Sequence, residues 1–479
     1  MPETQEAKPT RRSLTADEPV VTRHKLSVGG KQVGYTATAG FLPLVTEYGE
    51  HEANVFFVAY TLDGGTKKRP LMFSFNGGPG SSSVWLHLGA LGPKRVQMLE
   101  DGSMPPPPYK LAANRHTWLT ETDLVFIDPV GTGYSRAADK ETGKKFWNLD
   151  GDIQSVGQVI RLYLTRYERW TSPLFLVGES YGTTRAAGLA GHLIEKGIAF
   201  NGIVLVSSVL NFQTASFTKG NDLPYVLFLP TYCATAWYHN ALSKDLQRDL
   251  QKTLRECEAF AGGRYVALLA KGDRLTASER KELVEQVSRF TGLSEEFVSG
   301  TDARVNIQQF CKELLRHERR TVGRLDSRFK GMDARAVGSE PEYDPSMSAI
   351  RPPYTSALND YVRRELRFKT DLEYHILGGG FEEPWDWKTG KEGHPDTSEA
   401  LRIAFAKNPH MRLMVASGYY DLATPYFATD YTLAHLDLDA SLRSHIQTRY
   451  YEAGHMMYIH EKCLAELKKD MKSFVEWAS

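Results

Sequence analysis

A strand-to-helix turn at residues 178–182, reading G-E-S-Y-G, constrains this chain more than any other feature of its 479 residues. The apolar run PLFLV leads into it and the helix-prone TTRAAGLAGHLIEKG leads out. Glycine at both ends permits a sharp reversal that leaves the Ser180 side chain exposed at the apex. A helix beginning there points free backbone N–H groups at any negative charge developing beside the serine. Such a turn has to stand at the end of a sheet strand, so the rest of the chain must supply a sheet.

β-rich runs bounded by turn residues recur at 54–62, 70–75, 123–128, 174–177 and 202–206. The later ones are continuously apolar, as strands covered on both faces are. Residues 152–167 between them carry apolar side chains at helical spacing. Strand and helix in alternation imply a doubly wound α/β sheet. The texture changes near residue 215: segments 243–260, 278–290 and 306–319 are charged, amphipathic and helix-prone, with no strand-like run between them. They read as a helical insertion over the sheet; no heptad persists for three repeats, so a coiled coil is not indicated. Residues 411–417 and 448–452 resume the strands, and 462–477 close the chain as a helix. The expected division is a disordered lead over 1–25, an α/β core over 26–214, a helical cap over 215–345 and the second part of the core over 346–479.

Composition narrows the function classes. Lysine plus arginine number 58 and aspartate plus glutamate 58, a balance without the electrostatic footprint of a nucleic-acid binder. No stretch approaches the ~20 apolar residues of a membrane span. The polar start lacks an apolar signal-peptide core, so the protein is cytoplasmic, or secreted or periplasmic if a signal peptide was removed. Cys233, Cys257, Cys311 and Cys463 form no C-x-x-C pair, which argues against a zinc ribbon or thioredoxin-like site. They read as buried thiols, with a Cys257–Cys311 bridge left open for a secreted protein.

A serine hydroxyl is a weak nucleophile at neutral pH and needs a base oriented by a third group. On this kind of turn the order is Ser, then acid, then His, each past a strand end. Asp421 follows the run MRLMVAS, in SGYYDLATP, and His455 follows TRYYE, in AGHMMYIH. Of the 14 histidines only His455 lies between a strand end and a helix. Asp128 is the competing strand-end acid, but it precedes the serine and reads as the holder of a turn in DPVGTGYS. A second signal, N-G-G-P-G-S-S-S at 76–83, follows the strand PLMFSF. Its small residues let backbone amides approach a substrate and supply the second donor of an oxyanion hole. A phosphate loop is excluded, since no Gly-Lys-Ser/Thr follows.

Together N-G-G-P-G-S-S at Asn76, G-E-S-Y-G at Gly178, S-G-x-x-D-x-x-x-P at Ser417 and A-G-H-M at Ala453 resemble the signatures of the serine carboxypeptidase family. LGPKRV at Leu91, NRHTWLTETDLVFID at Asn114 and DPVGTGYS at Asp128 extend the resemblance over roughly 54–210 and 350–465. It implies an α/β-hydrolase fold: a mostly parallel central sheet, helices on both faces and an inserted helical cap. It also implies Ser180 as nucleophile, His455 as general base and acid, and Asp421 as orienting carboxylate. The oxyanion hole would be the N–H groups of Gly78 and Tyr181. Asn76, Gly77 and Glu179 would bind a peptide's C-terminal carboxylate. The chain departs from the family in three places. The usual cysteine of the first motif is Ser81, G-E-S-Y-A-G continues as Tyr181-Gly182-Thr183-Thr184-Arg185, and segment 84–93 lacks the second glutamate that pairs with the first in many members.

The expected activity is therefore removal of a C-terminal residue from a peptide substrate, through an acyl-enzyme on Ser180 and without metal or organic cofactor. An esterase or acyltransferase is the alternative within the fold, and a catalytically silent binding protein the alternative outside enzymes. The cap is expected to act as a lid, with Tyr232 and Trp237 as first guesses for pocket-facing aromatics.

Overall fold

The computed structural model describes residues 18–387 and 393–479, and among these ten strands join in one sheet. Its main strands are β1 (Val20–Val28), β2 (Lys31–Val45), β3 (His51–Leu62), β4 (Leu71–Phe75), β5 (Asp123–Ile127), β6 (Leu174–Ser180), β7 (Gly202–Ser208), β8 (Arg412–Gly418) and β9 (Ile446–Tyr451). Their order across the sheet is β1-β2-β3-β5-β4-β6-β7-β8-β9, and the two-residue strand Arg136–Ala137 pairs with the start of β3. The first three strands and the β3–β5 pair are antiparallel. Every pair from β5 to β9 is parallel.

The sheet is covered on both faces because its parallel strands alternate apolar side chains to either side. On one face Met72, Phe126, Phe175 and Val204 pack with Tyr354 and Tyr361 of Pro345–Arg364 and with Leu464, Met471 and Phe474 of Glu461–Ala478. On the other face Phe73, Val125, Leu176 and Leu205 meet the helices Leu149–Arg166, Tyr181–Ile194 and Ser398–Lys407. The architecture is the α/β-hydrolase fold expected from the sequence.

Residues from Val226 to Val322 carry an apolar cluster of their own, which meets the rest of the chain through Tyr420 and Leu422. Its helices include Leu223–Tyr238, Leu250–Phe260, Ala277–Thr291 and Ile307–Glu313. The structure corrects the sequence reading at several points. The expected lead over 1–25 is too long: β1 begins at Val20 and pairs with β2 from Val20↔Ala39 onward, with Leu26 turned into the core. The helix expected over 243–260 starts only at Leu250, because Asp249 takes the N-cap position and accepts from the Lys252 N–H. The one expected over 306–319 ends at Glu313 and is followed by a separate turn, Arg316–Glu318. All four cysteines are buried free thiols, so the Cys257–Cys311 bridge left open by the sequence is not formed. No helix among the described residues is long and apolar enough to cross a membrane.

Candidate active site

Strand register assembles the site. β4 pairs with β6 through Phe75↔Gly178, so the segment starting at Asn76 emerges beside Glu179 and Ser180. β8 pairs with β9 through Gly418↔Tyr451, so the loops carrying Asp421 and His455 leave the same edge together. Backbone bonds from Tyr419 N–H to Tyr451 O and from Tyr420 N–H to Ala453 O, each 3.0 Å, keep those loops side by side past the strand ends.

Ser180 ends β6 with φ 61° and ψ −130° and directly precedes the helix Tyr181–Ile194. The reversal is tight enough that a Cβ on Gly178 would lie 2.1 Å from Gly182 O. Glycine is therefore required there. A Cβ on Gly77 would stand 2.4 Å from Tyr181 N, which measures how closely the 76–80 loop approaches the helix start. The Tyr181 N–H sits in the first turn, where helix geometry offers no acceptor. Asn76, Gly77, Gly78, Glu179, Ser180 and His455 line one cleft of about 170 Å³.

The His455 imidazole is held by a 2.7 Å bond between Nδ1 and Asp421 Oδ2. Asp421 is fully buried and fixed from its own loop: Oδ1 accepts from the N–H groups of Ala423 (2.8 Å) and Thr424 (3.0 Å), and Oδ2 from the Thr424 hydroxyl (2.7 Å). The His455 backbone is clamped by its N–H on Leu325 O and by the Ser207 hydroxyl on its carbonyl. Burial works to lower the His455 pKa, but the Asp421 charge and hydrogen bond outweigh it and the net shift is upward from the ordinary histidine value. The pairing leaves Nε2 as the ring atom free for proton transfer.

Glu179 is 3% exposed, and burial pushes its carboxyl up to about 7 against the opposing pull of His455 and a hydrogen bond from Tyr458. Asn76 is buried as well. Its Oδ1 accepts from Leu86 N–H at 3.0 Å. Its Nδ2 lies close enough to Glu179 to hold that carboxyl down slightly, yet it makes no hydrogen bond of acceptable geometry. That N–H faces Glu179 and Tyr458 at the base of the cleft, where an acceptor brought by a substrate would meet it.

Sequence reasoning missed three supporting residues. Thr424 fastens Asp421, Tyr458 contacts Glu179, and Arg185 braces the floor. The Arg185 Nε donates to Asp152 Oδ2 at 2.8 Å and Nη1 to Asn76 O at 2.7 Å, while the Tyr181 hydroxyl donates to the same Asp152 oxygen. Arg185→Ala would leave Asp152 as an uncompensated buried charge. It is expected to lower the unfolding free energy by about 3–5 kcal/mol, measured by urea denaturation. Asp128 holds a loop, as expected: Oδ1 accepts from Ser83 N–H at 2.8 Å, and burial raises its pKa to about 7. Ser81, at the family's cysteine position, is tied by hydrogen bonds from Trp85 Nε1 and to Ile376 O.

The lid expectation needs correction. Tyr232 is buried in the cap's own cluster, stacked on Phe310 at 4.2 Å, and Trp237 packs against the same cluster. Within 215–345, Arg324 and Leu325 are the described residues that line the cleft, joined by Met347 and Ile350 from the next helix. An aromatic in the middle of an apolar helix fills the nearest core before it reaches across to a neighbouring site.

A mostly parallel sheet of this order, with a serine on the elbow after β6 and a His–Asp pair beyond β8 and β9, defines an α/β-hydrolase. Comparison with known proteins makes this specific. A serine carboxypeptidase family model matches residues 29–467, and the chain belongs to that family. The pheromone-processing carboxypeptidase KEX1 of Saccharomyces cerevisiae is 36% identical over 156 residues, 30% of this chain and 20% of that protein. Carboxypeptidase Y homolog A of Paracoccidioides lutzii is 26% identical over 200 residues, 39% of this chain and 31% of that protein. The chain thus spans only a fifth to a third of the length of these relatives. Among solved structures, Kex1(delta)p, a prohormone-processing carboxypeptidase from Saccharomyces cerevisiae, shares the fold with a TM-score of 0.54 and 16% identity, over 92% of this chain and 91% of that one.

Proposed function

We propose that this protein is a serine-type carboxypeptidase. Ser180 attacks the carbonyl carbon of the last peptide bond while His455 takes the hydroxyl proton. Asp421 holds the ring in the required tautomer and stabilises the imidazolium that forms. The N–H groups of Gly78 and Tyr181 receive the developing oxyanion. His455 then returns the proton to the leaving amine, and water attacks the acyl-enzyme by the reverse sequence. Asn76, Gly77 and Glu179 receive the substrate's C-terminal carboxylate.

The observation that carries the peptide reading is the pair at the cleft's base. The Asn76 side chain is buried with its amide nitrogen beside Glu179, a carboxyl whose pKa burial raises to about 7, so that it is mostly protonated at pH 6. A simple ester has no use for two such donors, whereas a carboxylate accepts from both. The test is kcat/KM for a blocked dipeptide and its C-terminal amide at pH 6. The free acid is expected to be preferred by at least tenfold, since hydrogen bonds to a charged group are worth about 1.5–3 kcal/mol. Equal turnover would set the carboxypeptidase reading aside in favour of an esterase.

A further inference from the structure

Tyr458 lies on the turn Met457–Ile459, three residues beyond His455, and is fully buried. Its hydroxyl donates to Glu179 Oε2 at 2.6 Å across a sequence separation of 279 residues. The ring has no spare room: a Cβ on Gly89 would stand 2.4 Å from Tyr458 Cε2 and 2.7 Å from the Tyr354 hydroxyl. Segment 84–93 supplies no acid, and its Gly89 sets bare backbone against the two tyrosines.

We propose that Tyr458 is the positioning residue for Glu179: by occupying Oε2 with a fixed donor, it leaves Oε1 to carry the proton that meets a bound peptide's carboxylate. This inference rests on the carboxypeptidase reading above and adds a residue to it. A buried phenol suits the task because it stays neutral where a second carboxyl would ionise; burial and the Glu179 charge hold its own pKa well above the usual tyrosine value. The proton in play then belongs to Glu179 alone. The groups facing that carboxyl are His455 and Tyr458 from the loop after β9, Asp421 from the loop after β8, Asn76 from the loop after β4 and Tyr354 from Pro345–Arg364. Arg324 stands on the cleft wall and acts on His455. Tyr458→Phe removes the hydrogen bond to Glu179 Oε2 without changing a charge.

The sign follows from the donor. A hydrogen bond to the ionised carboxylate favours ionisation, so its loss raises the Glu179 pKa. Peptide turnover requires Glu179 protonated, so its alkaline limb should move to higher pH. The experiment is kcat/KM against pH for a blocked dipeptide and its amide, in wild type, in Tyr458→Phe and in protein carrying 3-fluorotyrosine at 458. Tyr458→Phe is expected to shift the peptide's alkaline limb upward by about one pH unit. The fluorinated phenol is a stronger donor and should shift it downward, and it keeps the test available should the phenylalanine variant not fold. A merely structural tyrosine would change the height of the profile and leave the limb where it was. A limb present in wild type but unmoved, or moved the same way by both changes, overturns the inference alone. A limb missing from a wild type that still prefers the free acid also overturns the inference alone, whereas equal wild-type turnover of acid and amide at every pH overturns the carboxypeptidase reading and this inference with it.

Discussion

Ser180→Ala is expected to lower kcat for a blocked dipeptide by about a millionfold and to abolish labelling by a fluorophosphonate probe. The residual rate should come from the cleft and its backbone donors. Folding should be almost unaffected, with unfolding free energy within about 0.5 kcal/mol of wild type. Alanine keeps the Cβ, and with it the φ of 61° that the elbow imposes. His455→Ala should lose nearly as much as Ser180→Ala, because the two act as a unit and their losses do not add. Asp421→Asn should cost about 10⁴-fold, since an amide cannot hold the imidazole in the same tautomer. Measurable turnover by purified Ser180→Ala would remove the nucleophile assignment. A folded wild-type protein that takes up no probe would return the reading to a hydrolase-fold binding protein.

The parts of this site legible in the sequence are those set by local geometry. The elbow announces itself because only glycine tolerates the approach at 178, and a strand and a helix flank it in unmistakable composition. Asp421 and His455 are found because each follows an apolar run by a few residues, and parallel strands end at one edge. Thr424 could also have been found: Asp421-Leu-Ala-Thr424 has the spacing of a side-chain-to-backbone turn, and its N–H and hydroxyl both serve Asp421. The hairpin of β1 and β2 left a weaker trace, Gly29-Gly30 between two runs of mixed polarity, and the polar content of the first run hid its pairing. Tyr458 and Arg185 left none. Their partners lie hundreds of residues away or beneath a loop, so their roles are created by the register of the sheet. Tyr232 shows the opposite error: its residue type suits a pocket, but the helix buries it against Phe310.

Glu179→Gln is expected to change the pH profile for peptides in two ways at once. The productive free enzyme has His455 neutral, to accept the serine proton, and Glu179 protonated, to receive a carboxylate. The acid limb of kcat/KM therefore reports His455 and the alkaline limb Glu179. Glu179 has a pKa of about 7 and His455 lies above its usual value, so the wild-type peptide profile should be a narrow bell centred near neutrality. The two groups interact, each favouring the charged form of the other, so the limbs give apparent values for the pair. Glutamine keeps a donor but cannot ionise. The alkaline limb for the free-acid peptide should disappear, restoring roughly tenfold per pH unit above the wild-type midpoint. Removing the carboxylate also withdraws a negative charge that favours the imidazolium, so the acid limb should move to lower pH for peptide, amide and ester alike. The alkaline limb separates substrates, because an amide or simple ester brings no carboxylate for an ionised Glu179 to repel. Wild-type profiles that fall together for acid, amide and ester would assign the limb to some other group. A Glu179→Gln enzyme that kept its peptide limb would exclude Glu179 as the titrating residue even if the enzyme proved to be a carboxypeptidase.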